Sequence, residues 1–399
     1  MGGTPREDTM PVYLRSLVRA RFIGVVALTA CSANDVVATR AASAVAVKDM
    51  AERDPELTPT SATSISNHVA YWLLGQPYFA PSVPGIYDWV IPSSGSRITA
   101  QRLAPGYYIS TVPGMSNVFH PGNKEIVMTT TARDTTPQCT VPAWFSSSTS
   151  DVLQVTTFCN DLHTGQRVDG DFETLIVGKN TMSGVSAFAV ANLPSALSYT
   201  PDTARSFTTG TGAIHIDRTA VGDWNVSLGT GSSQGSIFLV SSAYELAVCT
   251  VGEWKNFGVR VRCFDQNGAS VDAEFNVLQV AGGRLFDAFG STYPFAFAWA
   301  DQRTATAPYS PNPSFARSSS GGAITVTHLG VGNYRVEFQG MQNPFNDPEQ
   351  VQVTPFGLVY AVCTAVRRSD SPTGRIVSVL CRDASGAPAD TRFNVLLMR

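Results

Sequence analysis

The chain has 399 residues, of which 43% are hydrophobic and only 15% charged, with 33 Gly, 24 Pro and a net charge of −3. A slightly acidic chain has no basic footprint for phosphates, which argues against nucleic acid and against an electrostatic grip on anionic lipid. Enough apolar residues to bury a core, punctuated this often by Gly and Pro, suit an all-β protein.

Fold reasoning begins after the first thirty residues. Arg15, Arg19 and Arg21 precede nine uncharged, mostly apolar residues, 22–30. That run is too short for a membrane helix, which needs ~20 residues; it reads as the core of a signal peptide spanning 1–30. Leu28-Thr29-Ala30-Cys31 resembles the lipobox of bacterial lipoproteins. The resemblance implies cleavage before Cys31, acylation of its thiol, and attachment to the membrane through that lipid alone. Ser32 stands where the inner-membrane retention rule wants Asp, so the same resemblance favours the outer membrane or cell surface where the host has one. Losing residues 1–30 removes four basic and two acidic side chains and leaves a net charge of −5. Residues 31–67 are rich in Ala, Ser, Thr and charge, without apolar period, and read as a flexible tether.

The rest of the chain is one pattern written three times, over 68–180, 181–285 and 286–399 (R1, R2 and R3). Each copy opens on an apolar block: Ala70-Tyr71-Trp72, Ala187-Phe188-Ala189 and Ala296-Phe297-Ala298. A glycine and an aromatic follow, as Gly106 and Tyr108, Gly222 and Trp224, Gly332 and Tyr334, reading as a tight turn into a strand. The closing block carries a cysteine, an Asp turn and a later Asp and Phe: Cys159, Asp161, Asp169 and Phe172; Cys263, Asp265, Asp272 and Phe275; Cys381, Asp383, Asp390 and Phe393. Asp first and Gly fourth is a type I turn signature. Val259-Arg260-Val261-Arg262-Cys263, Ile324-Thr325-Val326-Thr327 and Val351-Gln352-Val353 alternate, which predicts strands with one face in the core and one in water. The expected fold is three tandem β-sandwich or small-barrel domains. Along about 70–399 the pattern also resembles tandem repeats of roughly 100 residues in exported bacterial proteins of no known function, which implies a location and a fold class but no activity.

Six cysteines occupy equivalent places, so the expected disulfides lie within repeats: Cys139 with Cys159, Cys249 with Cys263, Cys363 with Cys381. Zinc is disfavoured, because the gaps lack Cys-x-x-Cys spacing and no histidine stands at a fixed offset. Closing loops of this size is worth ~3 kcal/mol each by the chain-entropy model. The paired carboxylates Asp161 and Asp169, Asp265 and Asp272, Asp383 and Asp390 invite a calcium reading, against which stands the simpler one that the first Asp caps its turn and the second flanks the next strand. No nucleophile elbow, phosphate loop or zinc-protease helix is present, and the five histidines fall at unrelated repeat positions. No cofactor is expected.

Aromatic residues supply the remaining binding candidates. R1 carries Tyr78, Phe79, Tyr87 and Trp89 in a proline-rich segment read as a stiffened loop, suited to sugar faces or a protein hot spot. Met115 with Phe119 and Met341 with Phe345 follow the shared glycines of R1 and R3, either as a contact surface or as a plug beneath the turn. The expectation is an envelope-anchored, non-enzymatic protein presenting a binding or adhesion surface to a glycan or protein partner. A structural subunit of a larger envelope or extracellular assembly is the runner-up, and a secreted hydrolase comes third.

Overall fold

The computed structural model describes residues 69–74, 86–91, 98–113, 115, 124–133, 137–146, 152–179, 182, 185–231, 234–243, 246–281, 294–344 and 349–399. Cys31, Tyr78, Phe79, Phe119, Phe345 and segments 1–30 and 31–67 lie outside them.

Strands account for nearly all the regular structure. R1 contains β1 (Val69–Leu74), β2 (Ile86–Ile91), β3 (Thr99–Ala104), β4 (Tyr107–Pro113), β5 (Glu125–Thr131), β6 (Pro137–Ser146), β7 (Val152–Asp161) and β8 (Phe172–Gly178). R2 contains β9 (Ala187–Ala191), β10 (Ser198–Tyr199), β11 (Ser206–Thr208), β12 (His215–Ala220), β13 (Asp223–Ser227), β14 (Ser236–Ser242), β15 (Val248–Lys255), β16 (Gly258–Phe264) and β17 (Phe275–Ala281). R3 contains β18 (Phe295–Ala300), β19 (Ala316–Ser318), β20 (Ile324–Gly330), β21 (Asn333–Gln339), β22 (Gln350–Phe356), β23 (Val362–Asp370), β24 (Gly374–Arg382) and β25 (Arg392–Met398).

Each repeat is a sandwich of two antiparallel sheets. The outer sheets run β3-β4-β7-β6, β10-β12-β13-β16-β15 and β20-β21-β24-β23; the inner ones run β2-β1-β8-β5, β11-β9-β17-β14 and β19-β18-β25-β22. Outer strands alternate as the sequence period requires: β21 and β24 bury every second residue. Inner strands do not alternate, since β5, β8, β14, β17 and β22 are buried along their whole length. One face of each inner sheet packs in its own sandwich, as around Trp224 and Phe275 in R2 and Tyr334 and Phe393 in R3. The other face packs against the other repeats, in a central cluster where Leu175, Leu278 and Leu396 stand at equivalent repeat positions beside Val177, Val280 and Met398. Val351-Gln352-Val353 corrects the period reading. Gln352 points not to water but inward, with Nε2 donating to the carbonyl of Glu173 across a repeat boundary.

The three sandwiches therefore share a core and belong to one compact unit, Thr58–Arg399. Equivalent contacts run head to tail around it and close on themselves. Asn276 of R2 donates to the Val127 carbonyl of R1 at 2.8 Å, and Asn394 of R3 to the Phe238 carbonyl of R2 at 2.7 Å. At the matching place Glu173 of R1 accepts from the Val351 amide of R3 at 2.7 Å. The result is a ring with pseudo-threefold symmetry. At one seam the ring fuses sheets: β22 meets β15 in parallel through Phe356 and Val251, which joins R2 and R3 into a nine-stranded sheet. An isolated parallel bridge from Ala132 to Ala365 links R1 and R3 at the corresponding place without joining their sheets.

Candidate functional site

The three closing blocks all lie at one end of the ring, here called apical. The disulfides Cys139–Cys159, Cys249–Cys263 and Cys363–Cys381 join residues directly opposite in the hairpins β6–β7, β15–β16 and β23–β24, each within its own repeat. Such bonds belong to an oxidising, extracytoplasmic compartment.

Beside each disulfide the two aspartates do different jobs. Asp161 accepts the amides of His163 and Thr164, Asp265 those of Asn267 and Ala269, and Asp383 those of Ser385 and Ala387, all at 2.8–3.1 Å. These bonds hold the turns; the Thr164 amide foremost keeps the Asp161 carboxyl below the usual carboxylate range, and the Ser385 hydroxyl, with the turn amides, does the same for Asp383. The second aspartates reach back to the shared glycine. Asp169 binds the guanidinium of Arg102 through both oxygens, at 2.8 and 2.7 Å, and takes the Gly106 amide and Tyr108 hydroxyl. Asp272 repeats this with Arg218 and Gly222; Asp390 substitutes His328 for arginine and adds Gly332. Burial alone would raise these three carboxyls, but the side-chain and amide donors outweigh it and leave all three lowered. At least one oxygen of each of these six carboxylates is thus engaged by protein donors. Among the described residues no group of three or more His, Cys, Asp or Glu is arranged to hold a metal. The glycines are obligatory: at Gly222, with φ of 68°, a Cβ would come within 2.6 Å of the Cys263 carbonyl oxygen.

Around the axis the three Asp turns interlock. Gly165 of R1 lies against Gln266 of R2, Gly268 of R2 against Ala384 of R3, and Gly386 of R3 against His163 of R1. Tyr360 packs here with Phe264 and Val362, and burial beside Asp265 and Asp383 pushes its hydroxyl pKa up.

Among the described residues, most exposed large hydrophobic side chains lie at the apical end. Ten large hydrophobic side chains are exposed among the described residues, and eight are apical. Leu193 and Leu197 follow β9, Leu246 precedes β15, and Leu358 and Val359 (68% exposed) follow β22. Val221, Leu329 and Val331 sit at hairpin tips, where Pro105 is the R1 counterpart. The other two, Val185 and Phe257, lie at the other end. That basal end is also where the chain enters β1, because Val69 pairs with Val177 and Leu74 with Phe172.

Of the sequence-derived binding candidates, Met115 and Met341 are each 1% exposed and fill the R1 and R3 cores. As possible contact residues both are corrected: an unbranched thioether suits the irregular space under a turn. Tyr87 and Trp89 do not sit on a loop. Ile86-Tyr87-Asp88-Trp89-Val90-Ile91 is the edge strand β2, paired with β1 so that Trp89 stands opposite Tyr71, as the β-branched and aromatic content favours. Trp72 is wholly buried.

Two groupings went unnoticed in the sequence. Ser198, His215 and Asp217 lie within hydrogen-bonding reach on the exposed R2 outer sheet. They do not form a catalytic relay, since His215 Nε2 contacts both partners and no second ring nitrogen is held by the carboxylate. The other grouping is the set of three seams. Trp144, Trp254 and Arg368 all stand five residues after the first cysteine of their repeat, and each projects to the next repeat. Arg205 of R2 lies over Trp144, with its guanidinium 5.2 Å from the ring centre. Phe315 and Trp299 of R3 pack on Trp254 at 3.8 and 4.4 Å between centroids. Arg368 instead forms an ion pair with Glu173 of R1, and Glu349 and Arg375 extend the charged cluster. Aligning the repeats at Cys+5 and Phe+1 would have revealed the exchange of Trp and Asn for Arg and Glu.

No protein-family model, no curated protein and no solved structure matches this chain.

Proposed function

We propose that this is an extracytoplasmic, non-enzymatic β-repeat protein, lipid-anchored to the cell envelope through Cys31, whose apical end binds a glycan or protein partner. The observation that carries the reading is that, among the described residues, eight of ten exposed large hydrophobics lie at one end of the ring. Exposed apolar side chains gathered at one end of a folded protein are the kind of surface a partner can cover. These side chains occupy turn positions where Asn, Asp or Ser would serve the backbone better, so turn chemistry does not account for Val221 or Val331. The chain enters the ring at the basal end, so a tethered molecule would turn its apical end away from the anchor.

The test is binding of the purified protein to the envelope polysaccharide and to the envelope protein fraction of its own host. The triple variant Val221→Asn/Val331→Asn/Val359→Ser should bind at least ~30-fold more weakly, as loss of a hot-spot cluster worth ~2 kcal/mol requires. Equal binding by wild type and triple variant would place the site elsewhere, and no binding to either fraction would remove the reading. The structural-subunit reading draws on a different observation: an apolar residue recurs at the tip in every repeat, as Pro105, Val221 and Val331. Lipid attachment is tested separately, by fatty-acid labelling of wild type against Cys31→Ala.

A further inference from the structure

R1 and R2 are consecutive in the chain, as are R2 and R3. R3 and R1 touch only because the ring closes, with all of R2 between them in sequence. That closing seam is also the one built from charge. Glu173 is wholly buried and pairs with Arg368. Arg368 also reaches Glu349, which holds Arg375, and Arg375 bonds Asp370 at 3.1 Å. Backbone contacts complete the seam: Arg133 donates to the Ala365 carbonyl at 3.1 Å, and the Val351 amide to Glu173.

We propose that the R3/R1 seam is an exchangeable junction, and that its partner in trans is a second copy of this chain, whose R3 docks on R1 through the same contacts. Opening the R2/R3 seam would expose Trp254, Trp299, Phe315 and Phe356 together. Opening R3/R1 returns Glu173, Arg368, Glu349 and Arg375 to water, which restores the hydration that burial removed. The opened ring still bares Ile126, Met128, Leu175 and Val177 of the central cluster, and that apolar face must be covered again. Its own R3 can do so, or the R3 of another molecule. The interface is head-to-tail, so two opened chains satisfy one another reciprocally, as in domain swapping. Glu173 fixes which surface is accepted: the positions of R1 and R2 equivalent to Arg368 are Trp144 and Trp254, and neither can neutralise a buried carboxylate.

Charge reversal tests this with the full-length chain. E173R sets two arginines against each other at its own seam, and R368E sets two glutamates. Mixed in equal amounts, each chain supplies what the other lacks at both junctions. Size-exclusion chromatography with light scattering should then show a 1:1 complex of twice the chain mass. Each single variant alone should give none, and the E173R/R368E double variant, which restores the pair in cis, should elute as the wild type does. If the single variants do not fold alone, they are refolded together from urea with disulfides intact; recovery of a folded 1:1 species supports exchange. A folded double variant beside a mixture that yields no 1:1 complex, whether mixed or co-refolded, overturns it.

Discussion

The seam between R1 and R2 and the seam between R3 and R1 occupy equivalent places in the ring and are built from opposite chemistry. At the first, Trp144 lies under Arg205 while Asn276 donates to a carbonyl of R1. At the second, Arg368 replaces the tryptophan and Glu173 replaces the asparagine. The two changes go together, because a buried carboxylate is tolerated only with a cation in reach. A shared backbone arrangement thus accepts either a large aromatic with a neutral amide or an ion pair. The ion pair stands at the junction that no chain connection supports, where correct pairing must come from the side chains.

The largest predicted effect breaks the ionic seam alone. Arg368→Ala leaves Glu173 buried without its partner and should destabilise the protein by ~3–5 kcal/mol, measured by urea denaturation with disulfides intact. Converting the ionic seam into its neighbours' kind sharpens the comparison. Glu173→Asn/Arg368→Trp should be neutral or stabilising by ~1–4 kcal/mol, and a loss as large as that of Arg368→Ala would show that the seams are not interchangeable. Acid should act on the apical clamps of all three repeats. Asp169, Asp272 and Asp390 have folded pKa values below their unfolded values near ~3.9. Their contribution is therefore present above that pH and is lost as pH falls through the folded pKa. The melting temperature should fall below pH ~4, and less steeply in Asp272→Asn, which starts lower by ~1–3 kcal/mol through the loss of a charged hydrogen-bond acceptor. The smallest effect is on the apical surface: Val359→Ser should change stability by less than ~0.5 kcal/mol, since its side chain makes its contribution outside the fold.

Much of this was legible in the residues. The repeated cysteines announced their pairing, because each pair holds the same two places in its copy and sequence-local closure needs no help from other repeats. Alternation gave the outer strands, as at Val259-Arg260-Val261. It misled at Val351-Gln352-Val353, since a polar residue facing a neighbouring repeat looks the same in sequence as one facing water. The ring itself was hidden for that reason: the inner strands bury both faces, but Thr129, Thr174, Gln279 and Asn394 keep them from reading as continuous apolar runs. Met115 and Met341 were ambiguous because a turn over the core and a turn over solvent require the same glycine. The seam residues were visible as departures from the repeat, yet no contact within one repeat gives Arg368 or Glu173 a meaning.

Closure of three sandwiches into one ring, with R3 against R1, is tested most directly by a cross-link over that seam. Ala132 and Ala365 face one another in a parallel bridge and are both buried. In an Ala132→Cys/Ala365→Cys variant of the otherwise unaltered protein, peptide mapping without reductant should find a fourth disulfide joining positions 132 and 365 within the monomer. Two free thiols in a folded protein that keeps its three native disulfides would contradict the ring.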